Sequence, residues 1–376
     1  MKKTLIISLS IIITLLIYNI WANADRKATI PETHVGMLVV NQHRDTLKKG
    51  NFLAIQPLME PKDYQNENAF SAKLEYYLLE AKSRHWLHKN TIVVLPEYIG
   101  TWLVAADEKN TVYSSKNIEK AMQIMVKSNI FSFTTAYLSA KAKDKVRDAV
   151  FRMKAPKMAK IYGNVLSKLA KKYNLSIVGG SIVLPNPKVE NNQIIPQAGN
   201  LYNVSFLFHP DGKIDPKITV KVFPTKDEQS FLSEGKIENL PVYETPVGKL
   251  GIIVCADSWY AGVYKHFQNK NCDLIAVPSF MTPAGLMQTK WQGYSGYPNP
   301  KDVDTQDINK ITERQAWEKY AMAGRFKNYK FRAGINVFMR GKLWDIRTDG
   351  LGYSFVEKSL YKDQMLNTSI ITNVQF

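Results

Sequence analysis

Two cysteines occur in the 376-residue chain, and one of them, Cys255, stands where a thiol can do chemistry. It closes the apolar run Gly251-Ile252-Ile253-Val254 and is followed by Ala256-Asp257-Ser258-Trp259-Tyr260, which reads as a turn into a helix. A thiol at a helix start faces backbone N–H groups and the positive end of the dipole, and both favour the nucleophilic thiolate. The next amide, that of Ala256, can face a developing oxyanion. Glu97 ends a second apolar run, Thr91-Ile92-Val93-Val94-Leu95-Pro96. Strand C-termini are where α/β sites assemble. A carboxylate there can take a thiol's proton and later return it to a leaving amine. Lys221 lies in Ile218-Thr219-Val220-Lys221-Val222-Phe223-Pro224, where alternation puts it on one face with Thr219. A lysine inside such a strand can stabilise an anionic tetrahedral intermediate. Read alone, each has a plainer alternative: a buried structural thiol, a surface-loop glutamate, a strand lysine pointing to solvent.

These residues need elements to hold them. Asn51–Gln56 reads as a buried strand, Ala69–His88 as a helix with Leu74, Tyr77, Leu78 and Ala81 at helical spacing, and Thr91–Leu95 as a strand covered on both faces. A second strand–helix–strand cycle ends at Leu175–Gly180. Such alternation predicts an α/β layered fold. Asn117–Lys172 is helical in pattern, with Ile118, Met122, Met125 and Val126 on one face and a further helix over Met158–Lys172. Asn203–Phe208 reads as a strand, His209–Lys213 as a turn with Gly212 at the position needing positive φ, and Lys217–Phe223 as the hairpin partner. Gly251–Cys255 and Asp273–Pro278 follow as strands. A helix is expected around Gln315–Lys327, then short strands at Ile335–Met339 and Tyr353–Val356.

Lys2 and Lys3 precede the apolar run Leu5–Trp21, and Ala22-Asn23-Ala24 offers a small-x-small cleavage site. Residues 1–27 therefore read as a signal peptide or a membrane anchor, with residues 28–376 exported as one domain, anchored, periplasmic or secreted. Two cysteines make a disulfide scaffold unsuitable, and Cys272 reads as a buried small hydrophobe. The net charge is +17, and residues 111–175 carry 14 Lys/Arg against 3 Asp/Glu. This basic helical insertion, about 111–172, reads as a solvated face or as a contact for an anionic membrane surface; export argues against nucleic acid. There is no Gly-Lys-Ser/Thr phosphate loop, and His85-x-x-His88 lacks a third ligand nearby, so no metal is expected.

The order and surroundings of the three residues resemble the carbon–nitrogen hydrolase (nitrilase) superfamily. Leu95-Pro96-Glu97 is similar to its first motif, Val220-Lys221-Val222-Phe223 to its lysine motif, and Val247-Gly248-Lys249-Leu250-Gly251-Ile252-Ile253-Val254-Cys255-Ala256-Asp257 to its nucleophile motif. Ala54-Ile55-Gln56, Gly179-Gly180-Ser181, Asn203 and Asp211-Gly212 fit supporting positions. The resemblance runs from about Asn51 to Ser279. It implies a four-layer α-β-β-α sandwich and a Glu97–Lys221–Cys255 triad. Glu228 would be the substrate-positioning glutamate, with Glu234 the other candidate, and the Ala256 N–H an oxyanion donor; no cofactor is needed. Ala261-Gly262 stands where the family commonly has Pro-Glu. Ala256-Asp257 stands where true nitrilases carry Trp-Glu, which favours amides over nitriles. The implied activity is hydrolysis of a small-molecule or lipid-linked amide through a thioester. The alternatives are an N-acyltransferase with a lipid donor and a catalytically degenerate anionic-surface-binding protein. Self-association into a homo-oligomer is common in the family.

Overall fold

Runs of apolar, β-branched residues supply the strands that need cover on both faces, and in the computed structural model they form two sheets packed face to face. The structure describes residues 2–26, 36–42, 50–364, 366 and 368–376; the expected boundary at 27–28 lies outside them. The first six-stranded sheet runs in the order Met37–Gln42, Ser369–Gln375, Asn51–Gln56, Thr91–Val94, Ser176–Val178, Leu207–Phe208. The second runs Val242–Thr245, Gly248–Ile252, Leu274–Ser279, Ala333–Phe338, Tyr353–Val356, Ser359–Lys362. Phe52, Ile92, Val94 and Val178 from one sheet meet Leu250, Ile252, Leu274 and Ile335 from the other in a single buried cluster. On its outer face the first sheet is covered by the helices Glu67–Ser83 and Lys145–Tyr173. The second is covered by Ala261–Asn269 and Glu313–Tyr320. The result is the four-layer α-β-β-α sandwich that the family resemblance implies.

The central strands are parallel. Asn51–Gln56 pairs with Thr91–Val94, that strand with Ser176–Val178, and Gly248–Ile252 with Leu274–Ser279. Parallel pairing brings the C-terminal ends to one edge, where loops can converge.

Several elements differ from the sequence reading. The run expected as one strand over Asn203–Phe208 divides. Leu201–Ser205 joins a small sheet with Ile182–Pro185 and Thr219–Val220, while Leu207–Phe208 enters the first large sheet. Phe206 is fully buried and its carbonyl accepts from the Gly179 amide at 3.0 Å, so both halves stay apolar and the break leaves no compositional mark. The helix expected from Met158 begins at Lys145 and runs through Pro156 to Tyr173. Proline removes one helical hydrogen bond and costs about 3 kcal/mol in a helix interior. Here Val150, Ala155, Met158, Ala159 and Tyr162 bury a continuous face on both sides of the proline, which offsets that cost. The helix expected over Gln315–Lys327 is broken into Glu313–Tyr320, Met322–Arg325 and a 3₁₀ turn at Phe326–Asn328. The edge strand Met37–Gln42 and its neighbour Ser369–Gln375 are absent from the sequence reading. They are tied in by a side-chain chain across neighbouring strands. Thr91 Oγ1 donates to Asn51 Oδ1 at 2.7 Å, Asn51 Nδ2 to Asn373 Oδ1 at 2.7 Å and Asn373 Nδ2 to Asn41 Oδ1 at 2.8 Å.

Candidate active site

Glu97 leaves the strand Thr91–Val94 through Leu95-Pro96, and the chain turns at once: Tyr98 has φ +64°. Left-handed backbone at a bulky residue is strained and persists only where its surroundings over-determine it. Gly180 does part of that work. Its φ is +68°, and a Cβ there would lie 2.0 Å from the Pro96 carbonyl oxygen, so the two strand ends can touch only with glycine present. The Tyr98 amide donates to Ser181 Oγ at 2.8 Å.

Lys221 follows the two-residue strand Thr219–Val220. Its amide donates to the Asn203 carbonyl at 2.9 Å, and its own carbonyl accepts from Gly235 at 2.8 Å. Its Nζ, fully buried, donates to Glu97 Oε1 at 2.8 Å and to Glu228 Oε2 at 2.7 Å. Asn203 Nδ2 donates to Glu97 Oε1 at 2.9 Å, and the Tyr98 hydroxyl donates to Glu228 Oε1. Glu228 Oε2 also accepts from the Thr225 amide at 2.7 Å. Cys255 follows Gly248–Ile252 with φ +46° and opens a single 3₁₀ turn, Cys255–Trp259. Its Sγ lies 3.6 Å from the Phe280 carbonyl oxygen, and Glu97 is near enough for its charge to act on the thiol. Asp257, two residues on, accepts from the amides of Val222 and Phe223 at 2.9 and 2.8 Å. The nucleophile turn and the lysine strand are thereby fastened together. Burial pushes the Asp257 carboxyl up to about 7.

The two carboxylates beside Lys221 are driven apart in acidity. Burial, and then the like charge of Glu228, push Glu97 above its ordinary value against the pull of Lys221. Burial also opposes ionisation of Glu228, but Lys221, Tyr98 and the Thr225 amide outweigh it and hold that carboxyl low. Burial works against the Lys221 charge too; Glu228 and Glu97 overcome it and hold the ammonium well above its ordinary value. Glu228 and Lys221 thus form a standing ion pair, leaving Glu97 able to exchange a proton. The expectation that a helix start would favour the Cys255 thiolate is overturned. Burial, reinforced by Glu97, raises the thiol well above its ordinary value, and one 3₁₀ turn supplies no long helix dipole to counter it. The resting group is a thiol that needs a base.

All four side chains line one cavity of about 720 Å³, with Ala256 beside Cys255 in its wall. Much of the remaining wall is apolar, including Trp102, Met122, Phe151, Phe280, Trp291 and Trp344. Glu234 lies elsewhere, accepting from Tyr297 at an exposed position. Cys272 is buried and, like Cys255, free. Among the described residues no group of three or more His, Cys, Asp or Glu could hold a metal ion.

The model of the carbon–nitrogen hydrolase family matches residues 59–296. The chain belongs to the carbon–nitrogen hydrolase family. Among curated relatives, "Probable hydrolase YhcX" of Bacillus subtilis is 26% identical over 117 residues, covering 31% of this chain and 20% of that protein. Omega-amidase NIT2 of Danio rerio is 32% identical over 124 residues, covering 30% of this chain and 39% of the relative. The matched stretch is thus well under two thirds of either relative's length. Solved structures share the fold. An amidase from Nesterenkonia sp. AN1, bearing acrylamide on its active-site cysteine, superposes with TM-score 0.51 at 10% identity, covering 87% of this chain and 93% of its own. Nit3 of Saccharomyces cerevisiae superposes at 0.50 with 16% identity, covering 87% and 90%.

Two contributors in this carbon–nitrogen hydrolase carry roles that the sequence reading did not assign, Asn203 being read only as a supporting position and Tyr98 not at all. Asn203 opposes Lys221 across the strand pair, whose register is Ser205 to Thr219 and Val204 to Val220, so extending the hairpin by one residue would have found it. Tyr98 adjoins Glu97, but only the turn at its own φ sends its hydroxyl to Glu228.

Proposed function

We propose that this chain is a cysteine-dependent hydrolase of amide-type C–N bonds working through a thioester acyl-enzyme. One observation carries the reading: a buried lysine bridges two carboxylates, and the one that burial raises shares a cavity with its only thiol. Glu97 takes the Cys255 proton as the sulfur attacks the substrate carbonyl carbon. The carbonyl electrons become an oxyanion facing the Lys221 ammonium and the Ala256 N–H, which lies in the first turn and has no helical partner of its own. The C–N bond then breaks, Glu97 protonates the departing amine, and a thioester remains. Glu97 next deprotonates a water that attacks the thioester, freeing the acid and returning the proton to sulfur. Glu228 keeps Lys221 charged and placed. The apolar wall favours amides with an apolar or lipid-linked acyl part.

The decisive assay follows a long-chain N-acyl amide with and without hydroxylamine. Hydroxamate should form at the expense of free acid, because hydroxylamine intercepts a thioester. Amine release with the acid yield untouched contradicts the mechanism. If an added amine is acylated in place of water, the second reading, an N-acyltransferase with a lipid donor, is favoured; the size of the apolar cavity is what recommends it. The pH profile gives a further check. A base must be deprotonated to act, so kcat/KM should fall in acid through the raised Glu97 value. Glu228→Gln removes the like charge that helps raise Glu97, so the acid limb should move to lower pH as the rate drops. An unmoved limb would show that Glu228 does not act on Glu97.

The same proposal makes residues 1–27 a retained anchor on an exported domain at 28–376. Lys2–Asn23 is one helix, long and apolar enough to cross a membrane by length and composition. Its C-terminal end is built into the domain. Lys109 Nζ caps the Trp21 and Ala24 carbonyls, both at 2.6 Å, and Ala22 is buried. Arg26 pairs at 3.2 Å with buried Glu108, which also binds Lys154 at 2.7 Å. Cleavage at Ala22-Asn23-Ala24 would strip these partners from Lys109.

A further inference from the structure

We infer that the helix Ile130–Ser139 lies in the bilayer surface beside the N-terminal helix, so that the domain is seated on the membrane by two contacts. The inference is independent of the catalytic reading and rests on the retained anchor proposed above. The helix, IFSFTTAYLS, contains no charged residue. Phe133 and Ala136 pack inward against Ala140, Ala149 and Met153. The other face carries Leu138, 82% exposed, Phe131, 62%, Tyr137, 39%, and Ile130, 37%. Beyond the N-terminal helix, the exposed large hydrophobics among the described residues are these four, neighbouring Val146, and only Leu79 and Leu366 elsewhere. A contiguous apolar patch of this kind marks a contact surface rather than scatter.

Three observations identify lipid as what covers it. The first is position. Tyr18, five residues before the end of the Lys2–Asn23 helix, packs its ring edge-on against Phe131 at 5.4 Å. Its hydroxyl accepts from the Ile130 amide at 3.0 Å and donates to the Lys127 carbonyl at 3.1 Å. At 1.5 Å per residue this contact lies about 8 Å from the helix end. A helix that spans the bilayer has its interfacial tyrosines at that level, so Phe131 is held at membrane depth. The second is the chemistry of the face. Thr134 Oγ1 donates to the Ile130 carbonyl at 2.8 Å, Thr135 Oγ1 to Phe131 at 3.1 Å and Ser139 Oγ to Ala136 at 2.9 Å. These hydroxyls bond their own helix and offer no loose donors to hydrocarbon. The third is charge. Exposed Lys127 precedes the helix and exposed Lys141, Lys143, Lys145 and Arg147 follow it, with Asp144 the one acid among them. Cations flanking an apolar helix face favour anionic headgroups. The expected basic contact is thereby sharpened: the apolar face inserts, and the lysines border it.

The helix also joins two walls of the cavity. Met122 and Met125 come from the helix before it, and Val150 and Phe151 from the helix after it. Seating Ile130–Ser139 in the bilayer therefore holds the cavity near the headgroups.

The test uses the full-length protein reconstituted into phosphatidylcholine–phosphatidylglycerol vesicles, with bimane on Leu138→Cys or, as control, on Lys213→Cys. Lys213 is exposed, and its turn packs on Ser167 and Lys171 near the far end of the helix Lys145–Tyr173. That helix alone spans roughly 43 Å at 1.5 Å per residue. Both labels are carried on a Cys255→Ala, Cys272→Ala background, because Cys255 opens on the cavity. Acyl-chain nitroxide lipids should quench the label at 138 several-fold and spare the label at 213, and aqueous iodide should do the reverse. A label at 138 as open to iodide as the control overturns the inference. So does one shielded from both quenchers, which would place a second copy of the chain on this face.

Discussion

Cys255→Ala yields a folded protein that no longer turns over amides, with kcat/KM lower by at least about 10⁴-fold, the scale on which a nucleophile acting as part of a unit is lost. The substitution removes one sulfur from a wall already open to the cavity, so little packing is forfeited. The thermal midpoint should stay close to that of the parent protein. Because the thiol is raised rather than lowered, Cys255→Ser does not rescue the rate: Glu97 would have to deprotonate a hydroxyl, a weaker acid still. Assays beside melting curves check this. Residual turnover near the parent rate in a folded Cys255→Ala protein would remove the sulfur from the mechanism.

Lys221→Met should be costly for stability as well as for rate. The ammonium is the hydrogen-bonded counter-charge of two buried carboxylates, Glu97 and Glu228. Removing one partner of a buried charge network typically costs about 3–5 kcal/mol, because the remaining charges stay desolvated and unpaired. In the parent, Glu228 is held low in the folded state, so its contribution is present above the unfolded value and fades as pH falls through the folded one. In Lys221→Met, burial and mutual repulsion leave both carboxyls raised. Groups raised by folding destabilise near neutrality and recover as they protonate. The stability gap between the two proteins should be widest at about pH 7 and narrow toward about pH 5. Denaturant titrations at both pH values measure it, and an equal gap at the two would show that the carboxylates are not the cause.

Much of this site could be read from the chain because its members sit at strand ends, and strand ends leave marks. Thr91–Leu95 and Gly251–Val254 are apolar runs that stop at Glu97 and Cys255. The structure brings both to the same cavity with Lys221 and Glu228. What escaped depended on distance and burial. The Phe280 carbonyl reaches Cys255 only because Gly248–Ile252 pairs with Leu274–Ser279, a register set by tertiary packing. The protonation of the thiol was misjudged because a turn into a helix is visible in sequence, whereas a 3₁₀ turn enclosed by Glu97 and apolar walls is not. The strand Ser369–Gln375 carries Asn373, which looks exposed until Asn41 and Asn51 are seen to bond it. The helix Ile130–Ser139 was hidden in the charge count, where lysines around it masked its own lack of charge.

The central claim is that acyl groups pass through one sulfur. Acid-quenching the enzyme during turnover of an N-acyl amide, digesting it and weighing the peptides tests that claim directly. The acyl mass should appear on the peptide containing Cys255, released by hydroxylamine as a thioester should be, and not on the peptide containing Cys272. An acyl group on any other residue, or turnover with no adduct at any quench time and no burst of amine, would contradict it.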